Sequence, residues 1–142
     1  MSPERMVHAL ETVHSLIKPG GLLLDIHPGT KKARVEARVN GKEYFLDTLE
    51  ETDDYIEYKQ AGDALAQAIR QGIFSVEENG KFQFITHAET IEELREFLTE
   101  NWKDAVLNQS VDEKAREYLT SSVQSYEVLV REDILITRYA RN

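Results

Sequence analysis

One stretch constrains the fold of this chain more than any other. Lys18-Pro19-Gly20-Gly21 is followed at once by Leu22-Leu23-Leu24-Asp25-Ile26-His27. The lysine suits the negative end of a helix, and the proline and glycines do not continue one. Upstream, Met6, Leu10, Val13 and Ile17 recur at helical spacing, with Val7 and Leu16 beside them. Ser2-Pro3-Glu4 supplies an N-cap, a proline at the first helical position and an early acid. The pattern reads helix, stop, strand. The strand has no polar alternation before Asp25, as expected of a strand buried on both faces of a parallel sheet. An α/β fold follows, with an α+β-like remainder.

Downstream, Asn40-Gly41 suits a type I′ turn and predicts a hairpin. Its register sets Val39 against Lys42, Ala37 against Tyr44 and Val35 against Leu46, with Arg34, Glu36, Arg38 and Phe45 on the other face. Residues 53–71 predict a helix with Tyr58, Ala61, Leu65, Ala68 and Ile69 as its apolar stripe, Gly62 being its weak point. Asn79-Gly80 predicts a second hairpin, between Ile73–Glu78 and Lys81–His87. Thr90-Ile91-Glu92-Glu93 and Ser110-Val111-Asp112-Glu113 both have capping form ahead of helices. The chain closes on two predicted strands, Tyr126–Arg131 and Ile134–Ala140, joined at Glu132-Asp133, which sets Glu127 against Arg138 and Leu129 against Ile136. No Ser/Gly/Pro-rich linker interrupts the 142 residues, so a single domain is expected.

Composition narrows function. The 17 basic and 26 acidic side chains leave a net charge of -9, which repels phosphate backbones and anionic membranes. Cysteine is absent, which removes disulfide scaffolds, thiolate metal sites and cysteine nucleophiles. No apolar run is long enough to span a bilayer, and Met1 to Arg5 is not followed by a signal-peptide core. A cytoplasmic protein is the expectation.

The stretch Leu16-Ile17-Lys18-Pro19-Gly20-Gly21-Leu22-Leu23-Leu24 resembles the class I S-adenosylmethionine-dependent methyltransferases. In that family a helix ending in Leu-Lys-Pro-Gly-Gly leads into the fifth strand of a Rossmann-like sheet. The resemblance implies that the C-terminal elements correspond to the last helix, the sixth strand and an antiparallel seventh strand. Residues of about 30–88 would then be an inserted substrate-side region. The family holds its cofactor with a glycine-rich loop and an acidic residue that both precede the Lys-Pro-Gly-Gly turn. No Gly-x-Gly occurs in this chain. The expectation is a methyltransferase-like C-terminal half without a cofactor of its own, inactive alone. It would act by assembly, by ligand binding, or as one half of a split enzyme. An independent small-molecule binder or enzyme is the alternative.

Asp25, His27 and Pro28 lie where the predicted strand ends, the usual ligand position in open α/β sheets. They are the candidate ligand-binding residues, with the hairpin over 33–47 as the expected roof. His27 is there either as a proton-transfer group or as an ordinarily solvated histidine. Gly20-Gly21 follows a helix and opens a strand, the reverse of a phosphate cradle. His8 and His14 stand on different helix faces, and no metal-ligand spacing occurs. Glu50, Glu51, Asp53, Asp54 and Glu57 form an acidic cluster, read as a solvated helix start or a cation site. Lys31, Lys32, Arg34, Arg38 and Lys42 form a basic patch, read as an exposed hairpin face or as the partner of that acidic cluster in a second copy. Tyr55, Tyr58, Phe74, Phe82 and Phe84 are read as core, with a pocket lining as the alternative. The strand Leu22–His27 would lack its family neighbour on one edge, so a homodimer through that edge, or a complementary methyltransferase half, is the expected partner.

Overall fold

A computed structural model describes residues 2–52 and 56–142. Asp53, Asp54 and Tyr55 of the acidic and aromatic sets lie outside the described residues, as does Met1. The chain mixes helices with antiparallel strands. In order it forms α1 (Pro3–Leu16), β1 (Leu22–Pro28), β2 (Arg34–Val39), β3 (Lys42–Thr48), β4 (Glu50–Glu51), α2 (Ile56–Arg70) and β5 (Phe74–Ala88). Then come α3 (Ile91–Asn101), β6 (Ala105–Val106), α4 (Gln109–Glu117) and β7 (Tyr126–Arg141). Two compact units result. The first takes residues 2–28, 56–82 and 134–142, the second residues 29–52 and 83–133. No helix among the described residues is long and apolar enough to cross a membrane.

In the first unit, the Ser2 side chain accepts from the Arg5 amide and caps α1 as expected. The helix stops where Gly20 takes φ 77° and the Gly21 amide donates to the Lys18 carbonyl at 2.7 Å. A Cβ on Gly21 would stand 2.4 Å from Ile17 Cγ2 and 2.8 Å from the Lys18 oxygen. One glycine is therefore required by backbone angle and the other by space. β1 then pairs antiparallel with β7, from Leu22 opposite Ala140 to Pro28 opposite Ile134.

This corrects the expectation of a parallel strand buried on both faces. Leu23 packs beneath α1 and α2 with Leu65, Ala68, Phe74 and Tyr139. Leu22, Leu24 and Ile26 point the other way and are 49%, 56% and 56% exposed. Helices cover one face only, so the leucine run alternates in burial although it does not alternate in chemistry. α2 continues through Gly62 and buries Ala64, Leu65 and Ala68, whereas Tyr58 is exposed.

Asn79-Gly80 is not a turn. The positive-φ residues among those described are Asn40, Gly20, Gly41 and Gly72. β5 is one extended strand on β7. The Thr137 hydroxyl donates to Asn79 Oδ1 at 3.0 Å. A Cβ on Gly80 would come within 3.2 Å of Ile136 Cγ2, so this glycine serves close strand approach. Glu132-Asp133 is likewise not a turn: β7 runs through it. Glu127 and Leu129 face Arg38 and Glu36 of β2 rather than Arg138 and Ile136.

In the second unit, Asn40 (φ 50°) and Gly41 (φ 82°) make the expected hairpin between β2 and β3. Val39 faces Lys42 and Ala37 faces Tyr44, but Val35 faces Asp47 because a bulge intervenes at Leu46. β2 also pairs with Tyr126–Arg131 of β7. Val35, Ala37, Leu46, Val128 and Val130 form one core with Leu94 and Leu98 of α3 and Val111 of α4. Thr90 caps α3 through the Glu93 amide, and the Glu93 carboxylate accepts from the Glu89 amide at 2.9 Å. α4 begins after Asn108 rather than Ser110. Glu50 and Glu51 form β4, paired with β6, instead of opening a helix.

Candidate functional site

The sequence places Asp25 and His27 two residues apart on β1, and side chains at that spacing share a strand face. The structure joins them. His27 Nδ1 lies 2.9 Å from Asp25 Oδ2, with both side chains about a quarter to a third exposed (31% and 25%). The ring stacks on Tyr58 of α2, centroid to centroid 6.3 Å at 20°. A carboxylate on Nδ1 fixes the ring's orientation and leaves Nε2 as the nitrogen presented outward. Pro28 ends the same strand opposite Ile134.

Asp25 also forms part of the wall of an apolar cavity of about 240 Å³. Met6, Leu10 and Val13 of α1, Leu23 and Leu24 of β1, and Leu65 of α2 supply most of the remaining wall. Tyr139, opposite Leu23 in the ladder, is almost fully buried. Burial pushes its phenol up from the ordinary tyrosine range, and the Asp25 charge adds to that shift. The first unit thus holds a hydrophobic recess with one carboxylate, Asp25, in its wall, and that carboxylate bonds His27, which stacks on Tyr58. Sequence reading found Asp25 and His27 from the strand end. The cavity carries no such signal, and Tyr58, read as core with a pocket lining as the alternative, is exposed and stacks on His27.

A second constellation lies on the β2–β3–β7 face of the second unit opposite the apolar core. Glu36, 6% exposed at its side chain, accepts from Arg34 at 3.1 Å and from Arg131 at 3.2 Å. Arg131 donates onward to Glu43 at 2.7 Å and to Gln83 at 2.9 Å. Glu43 bonds Arg38, Arg38 bonds Glu127, and Glu127 meets His87 Nδ1 at 3.2 Å. The Arg38 guanidinium holds the Glu43 carboxyl below the usual carboxylate range, and Glu43 in turn raises Arg38. In the ladder Arg34 stands opposite Arg131, a like-charge pair, and Glu36 bridges both. These ion pairs tie β2, β3 and β7 together.

Three members of the basic patch are paired within the chain. Arg34 and Arg38 are in the network, and Lys32 meets Glu50 at 2.6 Å. His8 lies beside Glu11 on an exposed helix face. His14 Nε2 is 3.1 Å from the Asn142 carbonyl, with its ring edge-on to Phe74. Phe74 is fully buried, whereas Phe82 and Phe84 are exposed, against their reading as core. No group of three or more metal-ligating side chains occurs among the described residues.

The other distinctive surface is the outer edge of β1. The Arg141 amide donates to the Gly21 carbonyl at 2.9 Å, and the Gly29 amide to the Asp133 carbonyl at 2.8 Å. In an antiparallel ladder alternate residues bond the neighbour. The odd-numbered positions of this stretch therefore bond β7, and the N–H and C=O groups of Leu22, Leu24 and Ile26 point outward. Pro28, at the next outward position, has no N–H to offer. Among the described residues, β7 is the one strand paired with β1. No family model, curated protein or solved structure matches this chain.

Proposed function

We propose that this chain is a methyltransferase-type half-domain that works by assembly, with the outer edge of β1 receiving a further strand. The observation that carries this reading is the edge itself, where Leu22, Leu24 and Ile26 present backbone groups with no strand partner among the described residues, together with exposed aliphatic side chains. The antiparallel pairing of β1 with the last strand supports the methyltransferase part, since the resemblance implies that neighbour.

S-adenosylmethionine does not fit the residues present. Backbone can cradle such a ligand where a glycine loop opens a helix. Gly20 follows α1, Gly41 closes a hairpin and Gly72 follows α2. Catalysis by this chain alone is therefore not part of the reading. Calorimetric titration with S-adenosylmethionine is expected to give no heat, and light scattering a mass above the 16.3 kDa of one chain. A micromolar dissociation constant refutes the first part. A single-chain mass with fast amide exchange at Leu22, Leu24 and Ile26 refutes the second.

The 240 Å³ recess with Asp25 in its wall favours one second reading, a site for an apolar molecule carrying a hydrogen-bond donor. A fragment screen by NMR tests it through shifts at Leu10, Leu65 and Asp25.

A further inference from the structure

We infer that the strand received at the β1 edge is β1 of a second copy, in antiparallel register centred on Leu24. The inference rests on the reading of β1 as a receiving edge and adds the occupant and the register.

Among the described residues, the outer edges of β1 and β5 are built differently. Along β5, Glu77, Glu78 and Lys81 flank Asn79-Gly80, the two glutamates meeting Arg138 of β7 at 3.0 and 3.2 Å, and a row of charges of this kind discourages pairing. Along β1, Asp25 is the one charge within Leu22–Ile26, and its carboxylate is held by His27 of the same strand at 2.9 Å. A second β1 approaching this edge meets one charge on the strand, and that carboxylate is already hydrogen-bonded.

The register follows from which groups point outward. A two-fold axis perpendicular to the sheet through Leu24 sets Leu24 against Leu24 of the second copy, and Leu22 against its Ile26. Every outward N–H and C=O of Leu22, Leu24 and Ile26 is then paired. On the exposed face the same residues form an unbroken aliphatic stripe across the axis. On the other face Asp25 stands opposite Leu23, and the two Asp25 carboxylates sit only on a diagonal. Centring on Asp25 places two carboxylates directly opposite each other and sets Leu22 against Pro28, which has no N–H. Centring on Leu23 requires Gly20 to pair with Ile26, and Gly20 is in the left-handed region at φ 77°. The Leu24 register is the one that meets none of these penalties.

The natural chain has no cysteine, so single substitutions report the register directly. In a hydrogen-bonded antiparallel pair the Cα atoms lie about 5.5 Å apart, within disulfide range. Leu24→Cys is therefore expected to form a covalent dimer on mild oxidation. Leu22→Cys, roughly 13 Å from its own copy at ~3.4 Å per residue, is expected to bridge at least tenfold more slowly. Wild-type protein should sediment as two chains at tens of micromolar. Leu24→Lys should sediment as one chain with an unchanged circular dichroism spectrum, since Leu24 is 56% exposed within its own chain. A wild type that sediments as one chain at 100 µM, or Leu22→Cys bridging as fast as Leu24→Cys, overturns the inference. An assembly with slow exchange at Leu22, Leu24 and Ile26 but no Leu24→Cys bridge overturns only the occupant and register. An assembly in which those amides exchange fast overturns the receiving-edge reading itself.

Discussion

Replacing Glu36 with alanine is the most informative single change to the second unit. Its carboxylate is 6% exposed and its partner Arg131 is 14% exposed. Removing one member of a buried ion pair costs about 3–5 kcal/mol, because the other charge is left desolvated. Arg131 is not left alone, however. It keeps Glu43 at 2.7 Å and Gln83 at 2.9 Å, which lowers the cost. Arg34 is half exposed and keeps its stacking over Phe45 at 4.3 Å, so its own loss is small. With Glu36 gone, Arg34 and Arg131 face each other across the ladder, a like-charge pair that returns some of the penalty. The expected net loss is about 2–3 kcal/mol. With a urea slope of about 2 kcal/mol/M, the unfolding midpoint should fall by about 1–1.5 M. The double variant Glu36→Leu with Arg131→Met removes both charges and should lie within about 1 kcal/mol of the wild type. A Glu36→Ala protein within about 0.5 kcal/mol of the wild type refutes the reasoning, as does a double variant as unstable as the single.

Phe74→Ala should lose about 3–5 kcal/mol by urea denaturation, since Phe74 is fully buried in the small core of the first unit, while Phe84→Ala at an exposed position should change little. Gly41→Ala forces φ 82° on an alanine and should cost about 1 kcal/mol. Gly62→Ala, in mid-helix with open space around it, should stabilise by about 0.5–1 kcal/mol in the same assay. Burial, and then the Glu51 charge, push the Glu132 carboxyl above the ordinary range. Its folded form binds the proton more tightly, so its contribution is full below the ordinary glutamate pKa and is lost as pH rises through the raised value. Glu132→Gln should therefore be more stable than the wild type at pH 7 and indistinguishable from it at pH 3, measured by thermal melts across that range.

Local signals in the sequence were legible where a few neighbouring residues decide the structure. The Ser2 and Thr90 caps, the Asn40-Gly41 turn and the Gly20-Gly21 stop all act within one turn of chain, and all are present. The reading at Asn79-Gly80 failed because the same dipeptide also suits a place where two strands approach closely. Glu132-Asp133 carried a warning, since neither residue is a glycine or asparagine able to take the positive φ of a tight hairpin turn. The Glu36–Arg131 bridge was not legible at all. Its members are 95 residues apart, and nothing near either one announces the other.

The strand β1 tests the same principle from the opposite side. Its leucine run predicted burial on two faces, yet half of it is exposed within the chain. The alternation that a one-sided edge strand normally shows, apolar inward and polar outward, is missing from Leu22–Leu24 and Ile26. β5 has that protection at its centre, so the chain does blunt an edge elsewhere. A sequence written for burial and a chain that leaves it open are reconciled if the edge is covered in the working protein. The outward groups of Leu22, Leu24 and Ile26, and the proline that ends the row, then mark both the length of the covering strand and where its pairing stops.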